Sequence, residues 1–351
     1  MRLIALSLLA GVWLFSAATV QAKVTGDPLD VPAVTTRLTT STQLSGIAQA
    51  GNRLVAVGIR GLIITSDDGG VSWEQRLSPV SSDLLAVSFP TADKGWVVGH
   101  HGVILHSSDG GVSWMKQMDG RDAATQLVAH FEKLAATGDE RAGILLDEMR
   151  LNFENGPEQA LLDVWFDDES TGYVVGSFGT LLSTADGGRT WRSEIEHVDY
   201  ETLLHLNVVR RVGDALFVAS ERGVVFRRKA GGTKFEALET GYAGSFFTLI
   251  GQAHTVVAAG LRGTIFKSED GGDNWTKIET DVLATLTGSA VAGDVFFLVS
   301  QNGRVLISTD QGSTFRSQAA KRSMTLTGVV QVNPQDLVLI GTTGVQKLTL
   351  E

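Results

Sequence analysis

Apolar runs of strand length, split by polar turns, recur along this chain. Between 84 and 117 the runs LLAVSF, GWVVG, VILHS and VSWMKQ are separated by PTADKG, HHG and SDGG. Runs of this length bounded by Gly, Asp and Ser predict four short antiparallel strands. The pattern repeats. VAVGIRGLIITSDDGGVSWEQR (55–76), WVVGHHGVILHSSDGGVSWMKQ (96–117), YVVGSFGTLLSTADGGRTWRSE (173–194) and VAAGLRGTIFKSEDGGDNWTKI (257–278) are close copies. Two weaker copies lie at 217–238 and 297–318, and a seventh, 337–351, is cut short.

The second glycine of a G-x-x-G element falls at 61, 102, 179, 223, 263, 303 and 344, so five of the six steps between successive units are near 41 residues. A sheet of four short strands cannot bury both faces alone and must stack on its neighbours. Seven such units predict an all-β, seven-bladed β-propeller of four-stranded antiparallel blades; solenoid coils favour repeats of roughly 20 to 30 residues. The last unit ends after its third strand. AVTTRLT (33–39), rich in β-branched residues, is therefore expected to supply the missing outer strand of blade seven and close the ring.

One step of the register, from 102 to 179, is about 36 residues too long, which places an insertion at 119–157 between blades 2 and 3. Within it Leu127, Phe131, Leu134 and Ala135, then Leu145, Met149 and Phe153, follow helical spacing, with TGD (137–139) as the break. The expectation is an amphipathic helical hairpin, either docked on the propeller flank or extended as a partner-binding arm.

The most repeated letters are S/T-x-D-x-G-x-S/T/N-W, with Asp68, Asp109, Asp186, Asp270 and Asp310 at the acidic position and Trp73, Trp114, Trp191, Trp275 and Phe315 at the aromatic one. An Asp there can accept from the N–H groups of its own turn, and the aromatic can pack on the adjoining blade. Equivalent positions in successive blades are spread round a ring, whereas catalysis needs different groups converging on one point. The box is therefore read as structural. The fourth unit, RRKAGGTKF (227–235), has lost the Asp and the Trp without losing the spacing.

Composition narrows the function. With 39 Asp+Glu against 29 Lys+Arg the chain is acidic, which argues against nucleic acid as partner. It has no Cys, so thiol nucleophiles, disulfides, thiolate metal sites and a lipidated N-terminal Cys are all absent. Arg2, an apolar run from Leu3 to Val20 and the ending Val20-Gln21-Ala22 predict a secretory signal (1–22) cut after Ala22. The expected mature chain, 23–351, is then a single propeller domain in the periplasm, monomeric, without a transmembrane segment and not a lipoprotein.

The D-G-G-x-[ST]-W turns resemble the Asp-box, or bacterial neuraminidase, repeat. Together with G-x-x-G-x-[ILV] and seven tandem units behind a secretory signal, they resemble the photosystem II assembly/stability factor family over nearly the whole expected mature chain. The resemblance implies a non-enzymatic propeller that binds a membrane-protein assembly intermediate through an arginine-rich patch. It also implies that bacteria without photosystems use such proteins as envelope accessory factors, with an envelope or inner-membrane complex, an exporter or an assembly intermediate as the partner. The chain departs from cyanobacterial members in lacking the lipidation Cys and in carrying the insertion.

Site candidates follow from the G-x-x-G turns. Just before the second Gly stand Arg60, His101, Phe178, Arg222, Arg262, Asn302 and Thr343, with His100 beside His101. Three arginines and a histidine in register on an acidic protein predict a positive rim able to hold carboxylates. The competing class is a sialidase-type glycoside hydrolase or a carbohydrate-binding propeller. A hydrolase of that type needs a Tyr–Glu nucleophile pair, for which only Tyr173, Tyr200 and Tyr242 are on offer, and the F/Y-R-I-P element is missing. No nucleotide, hydrolase or zinc motif occurs, so no cofactor and no metal is expected.

Overall fold

In every blade the second strand is the most apolar, because it is covered on both faces by neighbouring blades. Val55–Val57, Trp96–Val98, Val174–Val175, Phe217–Ala219, Val256–Ala259, Phe296–Val299 and Leu337–Ile340 are all buried, whereas the fourth strands carry mostly polar, partly exposed residues. A computed structural model describes residues 26–351; the expected secretion signal lies outside the described residues. It shows the seven-bladed propeller that the repeat spacing predicts.

Blade 1 consists of Leu44–Ala50, Arg53–Gly58, Ile63–Ser66 and Glu74–Arg76, paired in that order and antiparallel. The other blades begin with the inner strands Leu84–Ser88, Leu161–Phe166, Leu206–Val212, Phe246–Gln252, Leu286–Ala292 and Leu326–Asn333. Each inner strand packs beside the next, and Leu44–Ala50 meets Leu326–Asn333 to complete the circle. A cavity of about 140 Å³ at the centre is lined by residues of all seven inner strands.

Two details differ from the sequence expectation. Blade 7 has three strands, and residues 33–39 form no strand upon it. They run along the outer strand of blade 1 instead: Gln75 accepts from the Thr36 N–H at 2.9 Å and donates to the Val34 carbonyl at 3.1 Å, and Ala33 N–H donates to Ser78 O. The edge of blade 7 is met by two side chains and one backbone carbonyl rather than by a strand. Arg322 donates to Val345 O and Gln318 to Thr349 O, and the Val345 N–H donates to Thr40 O. Blade 4 gains a fifth strand, Val198–Asp199, parallel to Phe235–Glu239.

The insertion is a helical hairpin, α1 (Gly120–Ala135) and α2 (Glu140–Phe153). Asp119 caps α1, accepting from Arg121 N–H, while Asp122 accepts from the Asp119 N–H. Asp139 caps α2 by accepting from Ala142 N–H at 3.0 Å, and Gly138, at φ +89°, makes the break. Of the two expected arrangements the structure shows the docked one. Phe131, Leu145, Leu146 and Met149 fill a wedge with Ile195, Val198 and Leu204 on the flank of blades 3 and 4. His130 pairs with Glu196 at 2.8 Å, and Arg141 donates to Val198 O at 2.7 Å.

Candidate partner-binding face

Strand direction separates the two ends of the ring. The first residue of each inner strand pairs with the residue that opens the G-x-x-G turn, as in Leu44 with Gly58 and Phe246 with Gly260. The mouth of the central channel and the G-x-x-G turns therefore share one face, and the Asp-bearing turns, at the far end of each third strand, lie on the opposite one.

On the far face each Asp closes its own turn. Asp186 accepts from the Thr190 hydroxyl at 2.6 Å, the Thr190 N–H at 2.9 Å and the Thr184 hydroxyl at 2.9 Å. Asp68, Asp109, Asp270 and Asp310 repeat the scheme with Ser72, Ser113, Asn274 and Thr314. The first box glycine then offers its carbonyl to the preceding blade: Gly110 O accepts from Arg53, and Gly187 O from Gln117. Trp73 and Trp114 donate back to Gly70 O and Gly111 O, whereas the buried indole N–H groups of Trp191 and Trp275 have no partner among the described residues. In blade 4, which lacks the Asp, Arg227 reaches Gly271 O at 2.6 Å and Asp273 at 2.7 Å, and buried Phe235 occupies the aromatic position.

These hydrogen bonds have a pH signature. Donation by the side chain and then the N–H of the residue four positions on holds Asp186, Asp270 and Asp310 at about 2, below the ordinary 3.8. A carboxylate lowered by folding adds stability above its unfolded value and loses it as pH falls through its folded value. The share of stability that these turns contribute, followed by urea unfolding, is expected to be level above about pH 4 and to fall between about pH 3.8 and 2. A loss already complete at pH 5 would contradict this origin.

On the near face, Arg60, His101, Phe178, Arg222 and Arg262 all stand at positive φ, between 54° and 60°. Asn302 and Thr343 do not share that conformation. A non-glycine residue there costs about 1–2 kcal/mol, and neither Arg nor Phe has the short polar side chain that eases it. Arg60, Arg222, Arg262 and His100 are exposed, and among the described residues their side chains have no hydrogen-bond or ion-pair partner. His101 is tied down: Ser82 Oγ donates to His100 O at 3.0 Å and therefore accepts from His101 Nδ1 at 2.7 Å, leaving Nε2 free. Asn302 folds back to accept from Ser300, and Thr343 contacts the Met324 sulfur. Phe178 stacks edge-on against His205, with ring centroids 4.9 Å apart. The rim is thus two groups, each on adjoining blades, Arg60 with His100 and His101 on blades 1 and 2 and Arg222 with Arg262 on blades 4 and 5, rather than an even ring.

Sequence reasoning missed the apolar residues beside Arg262. Leu261 precedes it in the turn, Leu283 is 80% exposed on the adjoining linker, and Phe247 is 37% exposed at the channel mouth. The repeat carried no signal for Leu283, because linkers between blades follow no period. It missed the channel pair too. Asp163 in the third inner strand accepts from Val209 N–H at 2.9 Å and from Arg210, whose guanidinium lies 5.6 Å from the Trp165 ring centre. Burial pushes the Asp163 carboxyl up, against the pull of Arg210.

The residues a sialidase would need are not brought together. Tyr173 is buried and accepts from Arg228 at 2.7 Å, Tyr200 packs on Phe226 below the helical hairpin, and Tyr242 donates to Leu261 O. No cluster of metal-ligating residues occurs among the described residues. No described helix is long and apolar enough to cross a membrane.

Comparisons with known proteins agree on the architecture. A solved structure described as YCF48 bound to D1 peptide is 17% identical, covering 92% of this chain and 99% of its own, with a TM-score of 0.64. YCF48 from Cyanidioschyzon merolae is 18% identical over 89% and 96%, with a TM-score of 0.61. The WD40 β-propeller domain of Doa1 reaches 0.61 at 9% identity over 92% and 96%. At such identities these likenesses speak for the fold alone. No curated protein matches the chain. The family model described as Photosynthesis system II assembly factor YCF48, however, matches residues 34–148 and 147–290, and this chain belongs to that family.

Proposed function

We propose that this protein is a non-enzymatic accessory factor that holds an acidic segment of an envelope or inner-membrane protein complex, as an assembly intermediate, on its G-x-x-G face after secretion to the periplasm. The carrying observation is Arg60, Arg222 and Arg262: exposed, unpaired and retained at positive φ, where glycine would cost less. Strain kept at an exposed site points to a role for the side chain. Membership in an assembly-factor family supports the reading, as does a relative described as bound to a peptide. Leu261, Leu283 and Phe247 add apolar contact beside Arg262, so the segment is expected to carry apolar residues next to its carboxylates.

The test is affinity purification from solubilised membranes with the wild-type protein and with a variant carrying Arg60→Ala, Arg222→Ala and Arg262→Ala. Alanine shares the positive-φ cost with arginine, so the ring should keep its stability. The variant is expected to retain less than about one tenth of the captured complex, the loss of two or three charge-assisted contacts. Equal capture by both proteins would refute the assignment.

A further inference from the structure

The helical hairpin carries a second surface of opposite charge. The inner side of α2 is consumed by the wedge, through Ala142, Leu145, Leu146 and Met149, yet its outer side still presents Ile144, 65% exposed, and Leu151, 64% exposed. Beside it a groove of about 760 Å³ runs between α2 and the 201–203 segment. Its apolar lining is Ile144, Leu145 and Leu203, and its carboxylates are Glu140 and Glu148 on one wall and Glu201 on the other. None of these three carboxylates has an ion-pair or hydrogen-bond partner among the described residues. The single cation of the groove, Arg141, is engaged by Val198 O and Tyr200 O.

Spacing chooses the occupant. Glu140, Ile144 and Glu148 lie at i, i+4 and i+8 on one stripe of α2, so the two carboxylates are separated by about 12 Å along the axis. One cation cannot bridge that distance. A chain with positive charges repeated at a similar pitch and an apolar residue between them can. Anionic lipid and nucleic acid are repelled by the same carboxylates. We propose that this groove docks a basic amphipathic segment of a protein partner, independently of the acidic segment assigned to the arginine rim.

The probe is a synthetic 18-residue Lys/Leu amphipathic peptide with a fluorescent label, titrated by anisotropy against the full chain, beside a Glu/Leu peptide of the same pattern. The Lys/Leu peptide is expected to bind and the Glu/Leu peptide to fail. Combined Glu140→Gln, Glu148→Gln and Glu201→Gln, which keep shape and remove charge, should weaken binding at least tenfold. Glu74→Gln, Glu239→Gln and Glu279→Gln, exposed carboxylates elsewhere, should change it less than twofold. The Arg60, Arg222 and Arg262 variant should bind the Lys/Leu peptide as wild type does, which separates this test from that of the rim. Equal loss from both glutamine sets, or no loss from the first, overturns the proposal. So does sedimentation showing that the groove variant has lost a self-association present in wild type, since the occupant would then be a second copy.

Discussion

Phe131→Ala is expected to lower the free energy of unfolding by about 3–5 kcal/mol, the cost of removing a fully buried phenyl ring from a packed site. Phe131 has no exposed surface, and the cluster around it spans α2 and the flank of blades 3 and 4, with Leu145, Leu146 and Met149 beside Ile195 and Val198. The two helices cannot collapse onto the void without moving off the sheets, because His130–Glu196 and Arg141–Val198 O fix them on both sides. Urea unfolding followed by tryptophan fluorescence measures the loss. Leu151→Ala, on the same hairpin but 64% exposed, should change stability by no more than about 0.5 kcal/mol. A loss below about 1 kcal/mol for Phe131→Ala would mean that the hairpin is a separable arm and not part of the ring's core.

Gly263→Ala is the second large effect, and Gly271→Ala is its measure. Both glycines sit near the same positive φ, +70° and +72°, so a methyl group costs each about 1–2 kcal/mol of backbone strain. Around Gly271 a Cβ would meet nothing within 4 Å, whereas at Gly263 it would stand 1.6 Å from Val282 O, on the linker entering blade 6. That carbonyl cannot yield without shifting the linker, and Val282 is buried. Gly263→Ala is expected to cost at least about 3 kcal/mol, or to leave the chain unfolded, while Gly271→Ala folds with a modest loss. Thermal melts of the two variants side by side decide it; equal melting temperatures would show that the second G-x-x-G glycine is needed for conformation only.

The comparison of sequence with structure turns on which features repeat. Blade number, blade order, the Asp turns and the place of the hairpin were legible because each rests on a period, of 41, of 2 or of 3.6 residues. The closing strand was not. AVTTRLT has strand composition, but Gln75 and Ser78 on the edge of blade 1 offer it partners, and Arg322, Gln318 and Thr40 already meet the edge of blade 7. Composition says that a segment can be extended; only the available edges decide where it lies. The candidate site was legible in the same partial way. Arg60, Arg222 and Arg262 fall in register and were found by it, while Leu283 on a linker and Asp163 on an inner strand have no repeat position that marks them. Asn302 and Thr343 share the register yet have local partners, Ser300 and the Met324 sulfur, and stay out of the positive-φ conformation.

The face assignment can be measured directly by placing a photo-crosslinking amino acid at position 283 or at position 71. Leu283 and Val71 are matched, 80% and 73% exposed, but lie on the G-x-x-G face and the Asp-turn face respectively. Irradiated in intact cells, the protein labelled at 283 is expected to join covalently to a subunit of a membrane complex, and the protein labelled at 71 is not. A crosslink from 71 with none from 283 would place the partner on the opposite face and contradict the account.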